Sequence, residues 1–106
     1  MELHGKNLIG GKAVASTGTK TFTGVNPASG EKLPALFHEA TAAEADEALS
    51  LAAKAFEEYR RQPGEKIAGF LDRIGEEIQK LGDELIQRAS AETGLPEPRL
   101  TGERNR

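Results

Sequence analysis

From Thr41 onward, apolar residues return every third or fourth position. Ala45, Ala48, Leu49, Ala52, Ala55, Phe56 and Tyr59 fall on one side of a helix that runs to about Arg61. Pro63 suits a first helical turn, and Ile67, Phe70, Leu71, Ile74, Ile78 and Leu81 form a second stripe that stops at Gly82. Leu85, Ile86 and Ala89 mark a shorter third helix, with Asp83 as its expected N-cap and Gly94 as its stop before Leu95-Pro96-Glu97-Pro98. At the head of the series, Thr41-Ala42-Ala43-Glu44 reads as a capping box: the Thr41 side chain accepts from the Glu44 amide while the Glu44 side chain reaches back to the Thr41 amide.

Before Thr41 that period is lost. Short apolar runs (Leu8-Ile9, Ala13-Val14, Phe22, Val25, and Leu33 to Phe37) alternate with turn residues. Gly10-Gly11 stands where a two-residue hairpin needs positive φ. Residues 16–20 can form a second turn. Asn26-Pro27-Ala28-Ser29-Gly30-Glu31 can form a third, with Pro27 fixing φ and Gly30 free to turn left-handed. The pattern therefore predicts strands and turns over 7–40, three helices over 41–94, and a linker with the start of a further helix over 95–106.

The stripes are thinly filled. Leu, Ile, Val and Phe together occupy 22 of 106 positions, and 15 alanines bury little area each. A chain this short is one domain at most, and its burial barely offsets conformational entropy, so the sequence reads as a piece of something larger. The alanine-rich first stripe presents a flat surface that wants a neighbour.

Charge and chemistry mostly remove options. The net charge of −3 is spread along the chain, which argues against nucleic acid or an anionic membrane as main partner. There is no cysteine, hence no thiol nucleophile and no disulfide. The start lacks the apolar run of about 7 to 15 residues of a secretory signal, and no stretch is long enough to cross a bilayer, so a soluble cytoplasmic protein is expected. His4 and His38 supply neither a paired-imidazole metal motif nor a nucleophile triad, and read as a loose terminus and a strand end. No glycine-rich phosphate loop of known spacing occurs. The last eight residues alone are locally basic, with Arg99, Arg104 and Arg106 against Glu103. They can orient a carboxylate through bidentate hydrogen bonds or simply be a solvated end with Glu103 as counter-charge.

The series Asn7-Leu-Ile-Gly-Gly-Lys12, Phe22-Thr-Gly-Val-Asn-Pro-Ala-Ser-Gly-Glu31, the stripe from Glu39 to Arg60 and the stretch from Pro63 to Pro96 resembles the start of an NAD(P)-dependent aldehyde dehydrogenase. The runs from Phe37 to Thr41, from Gly82 to Leu100 and from Gly102 to Arg106 are similar to the α-ketoglutaric semialdehyde (2,5-dioxovalerate) dehydrogenase branch. Ala13 stands where members commonly carry tryptophan, and Asn105 where glycine is usual. The resemblance implies an α/β fold of aldehyde dehydrogenase type in a longer parent chain, which is cytoplasmic and homo-oligomeric. It also implies oxidation of a small aldehyde with NAD or NADP through a cysteine thioester. The catalytic cysteine, general base and cofactor segments of the family lie beyond residue 106, so this stretch is scaffold packed on the remainder of its parent, with no catalytic residue of its own.

Two sites follow from the resemblance. Some members hold a monovalent cation between backbone carbonyls before the Asn-Pro turn and an acidic residue before the glycine of the Glu-Thr-Gly segment; here these match Gly24, Val25 and Glu92. Arg104 and Arg106 fall where the family begins its entrance helix and are candidates to receive the remote carboxylate of an acidic aldehyde. A different class remains open beside these: a stand-alone helical interaction module, docking through its alanine-rich stripe and its last arginines.

Overall fold

In the computed structural model, which describes all residues from Met1 to Arg106, the turn chemistry of the first third acts as written. Strands β1 (Asn7–Ile9) and β2 (Lys12–Val14) pair antiparallel with Ile9 opposite Lys12. The hairpin closes on Gly10 and Gly11 at φ 59° and 76°, the two positive values that match the twist of the flanking strands. Strands β3 (Thr21–Phe22) and β4 (Phe37–His38) form a second antiparallel pair, with the Phe22 and Phe37 rings stacked at 5.6 Å. Four helices follow: α1 (Ala42–Tyr59), α2 (Gly64–Lys80), α3 (Gly82–Thr93) and α4 (Glu97–Arg104).

Where a single domain was expected, the chain divides into two compact units. The strand unit takes residues 3–23 and 35–63, so it holds both small sheets and α1. Its first strap depends on Gly5, which is buried at φ 64° and whose carbonyl accepts from the His38 amide at 2.8 Å. A Cβ on Gly5 would lie 1.7 Å from the Leu36 carbonyl oxygen, so no other residue fits there. Ala35, beside it, takes φ 82°, the sole non-glycine residue with positive φ. His4, expected in a loose terminus, accepts from the Lys6 amide at 3.0 Å.

The helical unit takes Met1–Glu2, 24–34 and 64–106. Its Asn-Pro turn is closed by Asn26, whose side chain accepts from Ala28 (2.9 Å) and whose carbonyl accepts from Gly30 (2.7 Å), with Gly30 left-handed at φ 77°. Helix α2 ends at Lys80, and Gly82 at φ 61° redirects the chain into α3. Asp83 does not cap α3: the cap position is Leu81, without a side-chain bond, and Asp83 and Glu84 instead complement the positive end of the dipole in the first turn. Gly94 stops α3 at φ 73°. The connection to α4 is only Gly94, Leu95 and Pro96, fixed by Ser90 Oγ donating to the Leu95 carbonyl at 2.8 Å. Much of the stretch read as linker is therefore helix, because Pro98 occupies its first turn, where a missing N–H costs nothing.

The interior is as thin as the composition requires. Ile86, 5% exposed, is the one buried apolar side chain. The stripes of α1 and α2 stay open: Leu49 is 70% exposed and Leu71 58%, with Phe56, Phe70, Ile74, Ile78 and Leu81 also exposed. Contiguous apolar faces of that kind are uncommon on a free monomer.

Two outcomes are expected. Gly5→Ala should open the strap locally, raising the exchange rate of the His38 amide on the order of ten- to a hundredfold, as the strain of a forced Cβ is about 1–3 kcal/mol; hydrogen exchange read by NMR checks this, with Gly11→Ala, whose Cβ meets nothing within 4 Å, leaving that amide unchanged. Residues 1–106 by themselves should self-associate or melt broadly, and a monomer in sedimentation equilibrium with a sharp transition above about 5 kcal/mol would contradict it.

Candidate functional site

Two polar clusters, one in each unit, hold the groups that could carry chemistry. In the helical unit, α3 brings Arg88 and Glu92 onto one face four residues apart, and Arg88 Nε donates to Glu92 Oε1 at 2.7 Å. The same guanidinium donates through Nη1 to the Pro34 carbonyl at 2.8 Å, while Nη2 is buried without a hydrogen-bond partner. Gly24 sits against this pair: a Cβ there would be 3.4 Å from Arg88 Nη2 and 3.5 Å from Glu92 Oε1. The Gly24 carbonyl accepts from the Leu33 amide at 2.9 Å, and Val25 bridges to Lys32 across the turn. The fold thus brings Gly24 and Glu92 together, with Arg88, a residue the sequence did not single out, between them. Its only sequence signal was the Arg-x-x-x-Glu spacing on a helix.

This donor set does not fit a monovalent cation. Its one carboxylate is already neutralised by a guanidinium in hydrogen-bond contact.

Arg104 and Arg106 lie at the end of a helix, where the sequence placed them at a beginning. Arg104 closes α4 and donates through Nη1 to the Gly82 carbonyl at 3.2 Å, while its own carbonyl accepts from Gln79 Nε2 at 3.2 Å. It therefore ties α4 to the corner between α2 and α3. Arg106 lies past the helix, its side chain 79% exposed and paired loosely with Glu103 at 3.4 Å. Arg99 is exposed within α4.

The strand unit is organised on Glu44, whose carboxylate is buried. It accepts from the Thr17 amide (2.7 Å), from Ser16 Oγ (2.8 Å), from the Thr41 amide (3.1 Å) and from Thr17 Oγ1 (3.0 Å). The capping box is present, Thr41 Oγ1 accepting from the Glu44 amide at 3.2 Å. These donors, the Thr17 amide first, then Ser16 and the Thr41 amide, lower its pKa from 4.5 to about 2, against the opposing effect of desolvation. A carboxylate so held is a poor base at neutral pH, which makes this cluster a fastening and not an acid–base site. His38, on β4, is half-buried with Nδ1 unpartnered and has no carboxylate bonded to it.

Each helix start carries a carboxylate in its first turn (Glu44, Glu65, Asp83 with Glu84, and Glu97), which complements the positive end of the dipole.

Residues 13–106 match the aldehyde dehydrogenase family, and the chain belongs to it. It is 48% identical over 107 aligned residues, all of this chain, to alpha-ketoglutaric semialdehyde dehydrogenase 2 of Azospirillum brasilense, covering 20% of that protein. It is 38% identical over 99% of its length to an alpha-ketoglutaric semialdehyde dehydrogenase of Acinetobacter baylyi, again 20% of that protein. Malonate-semialdehyde dehydrogenase 3 of Geobacillus kaustophilus is 38% identical over 84% of the chain and 18% of its own. The chain thus spans about a fifth of the length of the curated relatives it matches. No solved structure matches it.

The depressed Glu44 carboxyl fixes a pH dependence. Its folded pKa of about 2 lies below the ordinary 4.5, so its stabilisation is complete above about pH 4.5 and is lost as pH falls through about 2. NMR titration of the Glu44 carboxyl carbon should give that midpoint. Glu44→Gln should remove this part of the acid sensitivity and speed amide exchange at Thr17 and Thr41, and a Glu44 midpoint near 4.5 would show the donor cluster does not form.

Proposed function

We propose that this chain is the N-terminal scaffold of an aldehyde dehydrogenase that oxidises an α-keto acid semialdehyde, α-ketoglutaric semialdehyde, to α-ketoglutarate with NAD or NADP. The observation that carries the reading is the match along the whole chain, at 48% identity, to a protein of that activity. The parent is then an α/β enzyme, cytoplasmic and homo-oligomeric. Its nicotinamide cofactor supplies the hydride acceptor, and its reactive cysteine comes from outside these residues, which contain none.

What this segment contributes is position. Arg88 and Glu92 hold the Asn-Pro turn on α3, and Arg104 holds the end of α4 through its bond to the Gly82 carbonyl. Arg106 is the cation with room for a substrate: its guanidinium is solvated and its bond to Glu103 is long. An acidic aldehyde carries its carboxylate remote from the reacting carbon, and a guanidinium there selects for it by charge-assisted hydrogen bonds. The open faces of α1 and α2 are what favours the second reading, an interaction module with no catalysis. A coding sequence that continues past Arg106 into a cysteine-bearing catalytic region supports the enzyme, and a stop after Arg106 supports the module.

In the full-length protein, Arg106→Ala should lower kcat/KM for the keto acid semialdehyde roughly ten- to a hundredfold, about 1.5–3 kcal/mol, and spare a neutral aldehyde of similar length. Arg104→Ala should lower both together, as α4 loosens. Steady-state kinetics with the two substrates decide it: equal losses in the Arg106 variant would remove it from substrate recognition, and turnover by residues 1–106 alone would overturn the scaffold reading.

A further inference from the structure

We infer that the guanidinium of Arg88 takes, in this chain, the place considered above for a monovalent cation, and that it ties the Gly24–Pro34 turn to α3 without an ion. The turn begins at Gly24 and ends at Pro34. One planar group reaches both ends: Nη1 donates to the Pro34 carbonyl at 2.8 Å, and Nη2 lies against Gly24, 3.4 Å from where a Cβ would stand. The third edge is bound to Glu92 on α3 at 2.7 Å. With its side chain only 16% exposed, Arg88 is held between them. A Cβ at Gly24 would stand in van der Waals contact with the guanidinium and the Glu92 carboxylate at once.

Electrostatics excludes having both. An ion seated on the Gly24 carbonyl and Glu92 would share its only carboxylate with a permanent cation in hydrogen-bond contact with it, and like charges at that spacing repel. The guanidinium, moreover, is covalently present, needs no dehydration and cannot dissociate, so the turn it fastens is indifferent to which salt surrounds it. Glu92 then acts as a positioning residue, aiming Arg88 at the turn.

The inference concerns the full-length protein of the proposed reading, but its readouts, thermal unfolding and sodium NMR linewidths, are taken without aldehyde or dinucleotide. Failure of the dehydrogenase reading therefore leaves them standing. The wild-type unfolding midpoint should be the same in sodium, potassium and choline chlorides of equal ionic strength, with no saturable sodium broadening that depends on position 92. Arg88→Met, similar in length but uncharged, should unfold several degrees lower in choline chloride and regain part of the loss in sodium or potassium, since it leaves the Glu92 carboxylate bare beside the carbonyls. Adding Glu92→Gln should cancel that regain. Saturable stabilisation of the wild type by one alkali ion, abolished by Glu92→Gln, would overturn the inference. A fall in the Arg88→Met midpoint that is equal in all salts would overturn it too, by making Arg88 a packing residue. Should Arg88→Met not fold, the comparison of wild type with Glu92→Gln across the same salts still decides.

Discussion

The Glu44 carboxylate collects hydrogen bonds from Ser16, Thr17 and Thr41, and the strand unit hangs from it. The strands on either side are two or three residues long, and two-stranded pairs of that length are not stable alone in water. What fixes the loop after β2 relative to the start of α1 is a charged acceptor whose every bond is charge-assisted and roughly twice the strength of a neutral one. The same solution recurs in the helical unit with the sign reversed: there the half-buried guanidinium of Arg88 joins the Pro34 carbonyl to the Glu92 carboxylate. Each unit thus has an ionic fastening where a larger domain would have an apolar centre.

That substitution has a structural consequence. Hydrophobic burial is non-directional and accumulates with area, whereas a hydrogen-bonded charge specifies angle and partner but adds little net stability once its desolvation is counted. A chain with only Ile86 buried has geometry without much cohesion. The open stripes of α1 and α2 are the complementary half of this arrangement: the area that would supply cohesion faces outward, in a chain that spans a fifth of its relatives.

How far the fold was legible follows the range of each interaction. The Gly10-Gly11 hairpin, the Thr41–Glu44 capping box, the left-handed Gly30 and the Gly94 stop are decided within four residues, and sequence spacing states them in full. Asp83 misled because an acidic residue before a stripe looks like a cap, while the left-handed Gly82 moved the helix start ahead of it. Residues 95–106 were read as a linker with only the start of a helix because two prolines in four residues suggest a break, although a proline in a first turn lacks only a bond that turn does not make. The remainder was invisible for one reason. Ser16 to Glu44, Gly5 to Leu36 and Arg88 to Pro34 join residues 27 or more apart, and a single sequence carries no sign of which distant donor meets which acceptor. Gly24 and Glu92 came into view only through a family resemblance, and Arg88, which lies between them, not at all.

A segment with no reacting group can still govern a reaction through the stiffness of what it positions. The path from the Asn-Pro turn to the last arginine is short and fully tied: Pro27 abuts Gly94 at the end of α3, Ser90 fixes the step into α4, and Arg104 returns the end of α4 to the α2–α3 corner. Arg106, two residues past that anchor, has an exposed side chain, as has Asn105 before it. A guanidinium just beyond a fixed point faces solvent, whereas one that donates to an internal carbonyl is committed to the frame. Arg104, bonded to the Gly82 carbonyl, is of the second kind, and Arg106, exposed two residues further on, is of the first.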